Sequence, residues 1–284
     1  YAPLTAEYAT GRFWLFHETF APNHFDWPDR HLDGDHIKGL NQYFQTVEPL
    51  SIYPFSVAPV KKIGVRDIMA FQRSVFEDTI YDITAQPQWL VPARDEDDSF
   101  NGKYMKSPLA TPFPGRDMRE LLKLTYRRPV ARHRGHSGMI AQLRSWLPDP
   151  IGGVYWIFLD NPYVGPYVPM YAGNLSTHES YQVYDPNQYD ERSARWAFDF
   201  VDNLLNLKFQ EAIVDVRGKR EPFENTMFER QAEIEKEALA LYEDDPQAAR
   251  KFLTDYSNGL MEEATSIYLQ LRNELIVKYT NNQE

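Results

Sequence analysis

Three groups of residues have types and spacings from which chemistry could be built. The densest polar group is His17, His24, Asp26, Asp29, His31, Asp33, Asp35 and His36. Imidazole and carboxylate both ligate divalent metals, and His31-Leu-Asp-Gly-Asp-His36 sets several donors around a flexible glycine. The spacing matches no compact zinc or calcium pattern, because Asp33-Gly34-Asp35 lacks the alternation and closing Glu of a calcium loop. A solvated loop following a strand is the competing reading. The second group is Arg127-Arg128-Pro129-Val130-Ala131-Arg132-His133-Arg134-Gly135-His136, which concentrates positive charge ahead of an apolar run. A guanidinium is a planar fork for a carboxylate, so Arg132, Arg134 and His136 are the candidate substrate-binding residues, lining a cleft for a peptide or amino-acid carboxylate. Pairing with neighbouring Asp and Glu is the alternative. The third group interleaves proline and aromatics: Tyr53-Pro54-Phe55-Ser56, Pro162-Tyr163 and Pro166-Tyr167-Val168-Pro169-Met170-Tyr171. Such stiff segments serve either a rigid loop around a ligand or packing.

Other constellations are missing. No glycine-rich phosphate loop or dinucleotide fingerprint is present, and His178-Glu179 lacks the second His of a zinc helix. Gly135-His136-Ser137-Gly138 is followed by Met139 where a serine-hydrolase elbow pattern would close on Gly. The chain has no cysteine, which excludes disulfides, thiolate-bound metals and a thiol nucleophile from these residues. No cofactor or metal is expected. The formal charge of −11 offers no counterion-release drive toward nucleic acid, and no run approaches the ~20 apolar residues of a membrane span. Nothing at the N-terminus resembles a signal peptide, and the residues do not distinguish a cytoplasmic protein from an exported one. The chain opens Tyr1-Ala2-Pro3 without an initiator Met and soon enters Phe13-Trp14-Leu15-Phe16, which reads as a buried strand already under way. It is therefore expected to be a piece of a longer protein.

The elements that must position these groups fall into two parts. Residues 1–190 are rich in Pro, Gly and aromatics and read as strands; residues 191–284 read as helices packed on them. Strands are expected at Phe13–Phe16, Val130–Arg144 and Gly153–Leu159, the last two antiparallel across Leu147-Pro148-Asp149-Pro150. One helix is expected over Val65–Asp78, where Val65, Ile68, Met69, Val75 and Phe76 share a face. In the second part, Ser193 caps a helix burying Trp196, Phe200, Val201 and Leu204, another spans Phe228–Tyr242, and Asp245-Pro246 starts a new one. Leu260, Ala264, Ile267, Leu271 and Leu275 form a final periodic stripe.

Ordered fragments along the chain resemble the N-terminal-nucleophile cysteine dipeptidases, the dipeptidase D and secernin-like family. They are Tyr53-Pro54-Phe55-Ser56-Val57 with Lys61-Lys62; Arg73 to Thr79 with Tyr81-Asp82 and Thr84; Arg128-Pro129; Gln142-Leu143-Arg144 with Trp146-Leu147-Pro148; Ile151-Gly152-Gly153 with Trp156; Tyr167-Val168-Pro169 with Tyr171 and Gly173; and Ser193-Ala194 with Trp196-Ala197, Val201 and Asn203. The resemblance implies an α+β fold, an αββα sandwich of the N-terminal-nucleophile hydrolase type, incomplete at its N-terminus and with a helical C-terminal half. It also implies dipeptide hydrolysis by a cysteine at the mature N-terminus whose free amine serves as base, with backbone and Asn donors at the oxyanion.

The chain departs from that pattern where it matters most. It has no cysteine, and the nucleophile segment has no counterpart in Tyr1 to Arg12. The expectation is a C-terminal portion of such an enzyme, inactive alone, whose missing segment is supplied in cis or as a second chain. No catalytic residue carries over by motif. A catalytically silent binding or assembly module, able to form homo-oligomers, is the second reading; a metal-dependent hydrolase built on His17 to His36 is the third. An uncovered sheet edge or apolar patch favours the first reading, and a closed core favours the second.

Overall fold

The computed structural model describes residues 7–22, 56–79, 81–126 and 128–280. The chain is of mixed α+β type and divides into two units, 1–106 with 112–131 and 107–111 with 132–284.

In the first unit the run Phe13-Trp14-Leu15-Phe16 is helical, contrary to the strand expected there. It lies inside α1 (Glu7–Phe20). A short apolar run does not distinguish a strand from a helix that meets neighbours on several sides. Here Leu15 packs with Phe76 and Tyr81, Trp14 meets Tyr81 edge-on at 5.0 Å, and Phe20 lies 5.4 Å from Phe71. Helix α2 (Val65–Arg73) starts at Gly64, whose N–H donates to Asp67, and it stops five residues short of the expected Asp78. Phe76 and Asp78 both take left-handed φ, 67° and 59°, which no helix interior allows. The turn is closed by Thr79, which donates through both N–H and Oγ1 to the Phe76 carbonyl, and this places the Phe76 ring in the core. The strands β1 (Leu90–Arg94) and β2 (Phe100–Lys106) form an antiparallel ribbon, and α3 (Arg116–Leu122) follows.

The second unit is built on an antiparallel sheet in the order β3–β4–β5: β3 (Ser137–Leu143), β4 (Gly153–Leu159) and β5 (Val168–Tyr171). The expected antiparallel pairing is present, with Ile140 opposite Trp156, and the turn contains the single-turn helix α4 (Asp149–Gly152). The strand is shorter than Val130–Arg144, because residues before Ser137 form turns, one closed by Gly135 N–H to the Arg132 carbonyl. Gly138 faces the Phe158 ring, where any Cβ would approach to 2.4 Å.

Helix α5 (Ala194–Leu204) is capped by Ser193, which accepts from Trp196 N–H as the sequence implies. Helix α6 (Phe209–Asp244) absorbs the expected Phe228–Tyr242 segment and runs through Pro222. An internal Pro costs roughly 3 kcal/mol of helix stability. Burial of Ala212, Ile213, Val216, Phe223 and Met227 on one stripe offsets it and explains why the periodicity broken by Gly218 and Pro222 hid the first half. Helix α7 (Pro246–Tyr279) joins the Asp245-Pro246 start and the last periodic stripe into one element, with Asp245 accepting from Gln247 N–H.

The inner face of the sheet packs on α6. Trp156, fully buried, stacks on Phe228 at 4.3 Å, and its Nε1 donates to Gln142 Oε1. Gln231 donates to the same oxygen and to Glu235, and Glu235 forms a two-point ion pair with Arg144 at 2.6 and 2.7 Å. Arg144 also donates to the carbonyls of Ile151 and Gly152, so one side chain ties the β3–β4 turn to the helix. Removing one partner of a buried pair strands the other charge. Glu235→Ala is therefore expected to lose about 3–5 kcal/mol in urea unfolding, and the double variant Arg144→Met, Glu235→Leu to lose less than the sum of the two single changes.

Candidate functional site

Where β4 ends, Asp160 takes a left-handed φ of 66°, a conformation Asp tolerates better than most residues, and its N–H continues the ladder to the His136 carbonyl. Asn161 follows; its Oδ1 accepts from Tyr163 N–H and its Nδ2 donates to both oxygens of Asp202 at 3.2 and 3.3 Å. The connection to β5 is gripped through its main chain by the long helices. Arg220 donates to the Tyr163 carbonyl, Glu224 accepts from Tyr167 N–H at 2.8 Å, and Tyr268 donates to the Val164 carbonyl at 2.5 Å. Asp160 and Asn161 therefore sit on a rigid support.

Helix α5 supplies the rest of the site. Its positions i, i+4 and i+7 are Arg195, Asp199 and Asp202, one stripe of the helix. Arg195 Nη1 lies 2.9 Å from Asp160 Oδ1 and 3.4 Å from Asp199 Oδ1, and Nη2 donates to the Gly135 carbonyl. Gly135 is obligatory here, since a Cβ would come within 2.9 Å of the Asp160 carbonyl. Among the described residues, Arg195 Nε and Nη1 make no aligned hydrogen bond, nor do the oxygens of Asp160. The guanidinium is thus held to the two acids by charge and to the Gly135 carbonyl by a hydrogen bond.

Burial, reinforced by the charge of Asp202, pushes the Asp160 carboxyl up to about 8 despite Arg195. Burial likewise pushes Asp202 up to about 7, with Asp199 adding to it and the Asn161 hydrogen bond opposing it. Three carboxyl groups share one guanidinium, and a low-dielectric site resists carrying the excess negative charge.

A cleft of about 130 Å³ opens beside this cluster, lined by His136, Ser137, Leu159, Tyr181, Tyr184 and Arg195 among others. Arg195 also lies over the Tyr184 ring. Of the residues singled out from sequence, His136 lines the cleft; Arg132 and Arg134 are solvent-exposed around the preceding turn and lie outside its lining. His17 is buried in α1 with Nδ1 2.8 Å from the Phe13 carbonyl, while His24, Asp26, Asp29, His31, Asp33, Asp35 and His36 lie outside the described residues. Among the described residues no group of three His or carboxylate side chains is arranged to hold a metal. Tyr163, Tyr167 and Tyr171 of the Pro-aromatic segments are buried, as packing requires; Tyr53-Pro54-Phe55 lies outside the described residues.

Sequence reasoning missed Asp160, Asn161, Arg195, Asp199 and Asp202. The available signal was the charged stripe on a helix otherwise burying Ala194, Ala197, Phe198 and Val201.

Comparison with known proteins places this geometry in context. The model of peptidase family C69 matches residues 4–221. A probable dipeptidase B of Streptococcus pyogenes serotype M1 is 30% identical over 127 residues, covering 44% of this chain and 25% of the relative. A probable dipeptidase B of S. pyogenes serotype M3 is 30% identical over 128 residues, with the same shares. The matched region spans about a quarter of the length of these relatives.

The raised carboxyls set a sign for stability against pH. Their folded pKa values exceed the unfolded value of about 3.9, so the folded chain holds more protons between about pH 4 and 8. Their contribution is fully present below the unfolded pKa and is lost as pH rises through the folded values. Urea unfolding of Asp202→Asn beside the parent chain is expected to show the difference moving in favour of the variant from about pH 5 to about pH 8.

Proposed function

The chain belongs to peptidase family C69, and on that premise we propose that it is the C-terminal part of a dipeptide hydrolase whose cysteine nucleophile lies in polypeptide outside these 284 residues. The observation that carries the reading is the outer face of the sheet. Opposite the face that packs on α6, Met139, Ala141 and Leu143 of β3 continue into Tyr155, Ile157 and Leu159 of β4. Met139 is 57% and Leu143 74% exposed, and the β4 residues are only partly buried. A closed core would have favoured a silent module; an apolar sheet face of this kind supports a sandwich of the N-terminal-nucleophile type, in which a second sheet covers it.

In that assembly a thiol, deprotonated by the terminal amine beside it, attacks the peptide carbonyl. The amine product leaves with the proton, and water releases the thioester. The streptococcal relatives, named as probable dipeptidases, agree with a dipeptide as substrate. His136, which lines the cleft, and Arg132 and Arg134 on the exposed turn are the residues from which this chain would meet the rest of the substrate. The chain alone carries no thiol.

The test is a hydrolysis assay with alanyl dipeptides. The isolated chain is expected to be inactive, while the complete protein, its mature N-terminus shown to be Cys by sequencing, cleaves them and is stopped by iodoacetamide. Hydrolysis by the 284-residue chain alone, insensitive to the thiol reagent, overturns the reading.

A further inference from the structure

Arg195 belongs to two environments at once. It lines the cleft beside His136 and Tyr184, and it pairs with the buried carboxyl group of Asp160 and the half-buried one of Asp199. Asp160 is 1% exposed and is not part of the cleft lining, so a ligand in the cleft meets the guanidinium rather than the acid. With Asp160, Asp199 and Asp202 all ionised, the cluster carries two more negative charges than positive. Arg195 is then neutralised from within and offers little attraction to an anion. When these acids hold protons, the charge of Arg195 is no longer neutralised from within and acts on the cleft that it lines.

We propose that this cleft binds a carboxylate on Arg195 and that binding draws a proton onto the Asp160–Asp202 pair. Coupling between the two events is reciprocal. An anion on Arg195 adds negative charge near the pair and favours its protonated form, and protonation of the pair favours the anion by the same factor. The groups facing Arg195 from each surrounding element are Asp199 and Asp202 on its own helix, Asp160 and Asn161 at the end of β4, His136 and the Gly135 carbonyl before β3, and Tyr184 from the segment before α5. Asn161 connects the two acids, since it follows Asp160 in the chain and donates to Asp202. The raised titration of both acids puts the exchange near neutral pH. The inference rests on the dipeptidase reading only for the identity of the carboxylate, which would be the C-terminal group of a dipeptide.

The experiment is titration calorimetry of the chain with acetate, alanyl-alanine and alanyl-alanine amide, at about pH 7.5 in buffers of different ionisation enthalpy. Acetate and alanyl-alanine are expected to bind with net proton uptake, the amide at least about tenfold more weakly, and affinity to fall by up to about tenfold per pH unit above this range. Uptake should vanish in Asp202→Asn and Asp160→Asn, both near-isosteric. Binding and uptake with acetate but not with the dipeptide would uphold the cleft and remove the dipeptide as its ligand. The proposal falls if neither carboxylate binds, if acid and amide bind equally, if no proton is taken up, or if uptake survives both Asp variants.

Discussion

The second unit depends on how one tryptophan is buried. Trp156 places a large ring and an indole N–H at the centre of the inner sheet face, so the helix covering it must supply both an apolar surface and a polar relay. Helix α6 does both, with Phe228 stacked on the ring and Gln231 and Glu235 continuing the hydrogen bonds from Gln142 to Arg144. Sliding the helix by one residue would break the stack and leave a buried charge unpaired. Its register is therefore determined at this point, and the positions of Arg220 and Glu224, earlier on the same helix, follow from it.

That register reaches the candidate site. Arg220 and Glu224 hold the main chain between β4 and β5, and α7 adds Tyr268. The grip lets Asp160 stay in a left-handed turn under burial, where it meets Arg195 from α5. The site is thus an arrangement of opposed demands: a guanidinium kept partly unbonded, carboxyls kept partly protonated, and a rigid frame that prevents either from relaxing. Such tension between a group's environment and its ordinary charge is what distinguishes a reactive or binding surface from a solvated one.

The two faces of the sheet differ in a way that bears on the family reading. The inner face is closed by helices with aromatic stacking and satisfied polar groups, whereas the outer face leaves Met139 and Leu143 in contact with solvent. Alternation along β3 and β4 puts apolar residues on both faces, the pattern of strands covered on both sides.

What could be read from the amino acids was local. The Ser193 and Asp245 caps, the β3–β4 pairing and the periodic stripes of the long helices follow from side-chain chemistry acting over a few residues. The absence of a thiol is likewise a property of the residues alone. Tertiary contacts decided the rest. Phe13–Phe16 is helical because neighbours lie on several of its sides, α2 ends early because Phe76 turns into the core, and α6 continues through Pro222 because its buried stripe outweighs one lost hydrogen bond. The acid cluster was hidden for the same reason: Asp160 and Asp202 are 42 positions apart, and only packing buries Asp160, half-buries Asp202 and brings Arg195 and Asn161 to them. Spacing reports which residues can share a face, but the cost of burying a charge exists only once the fold has removed the solvent.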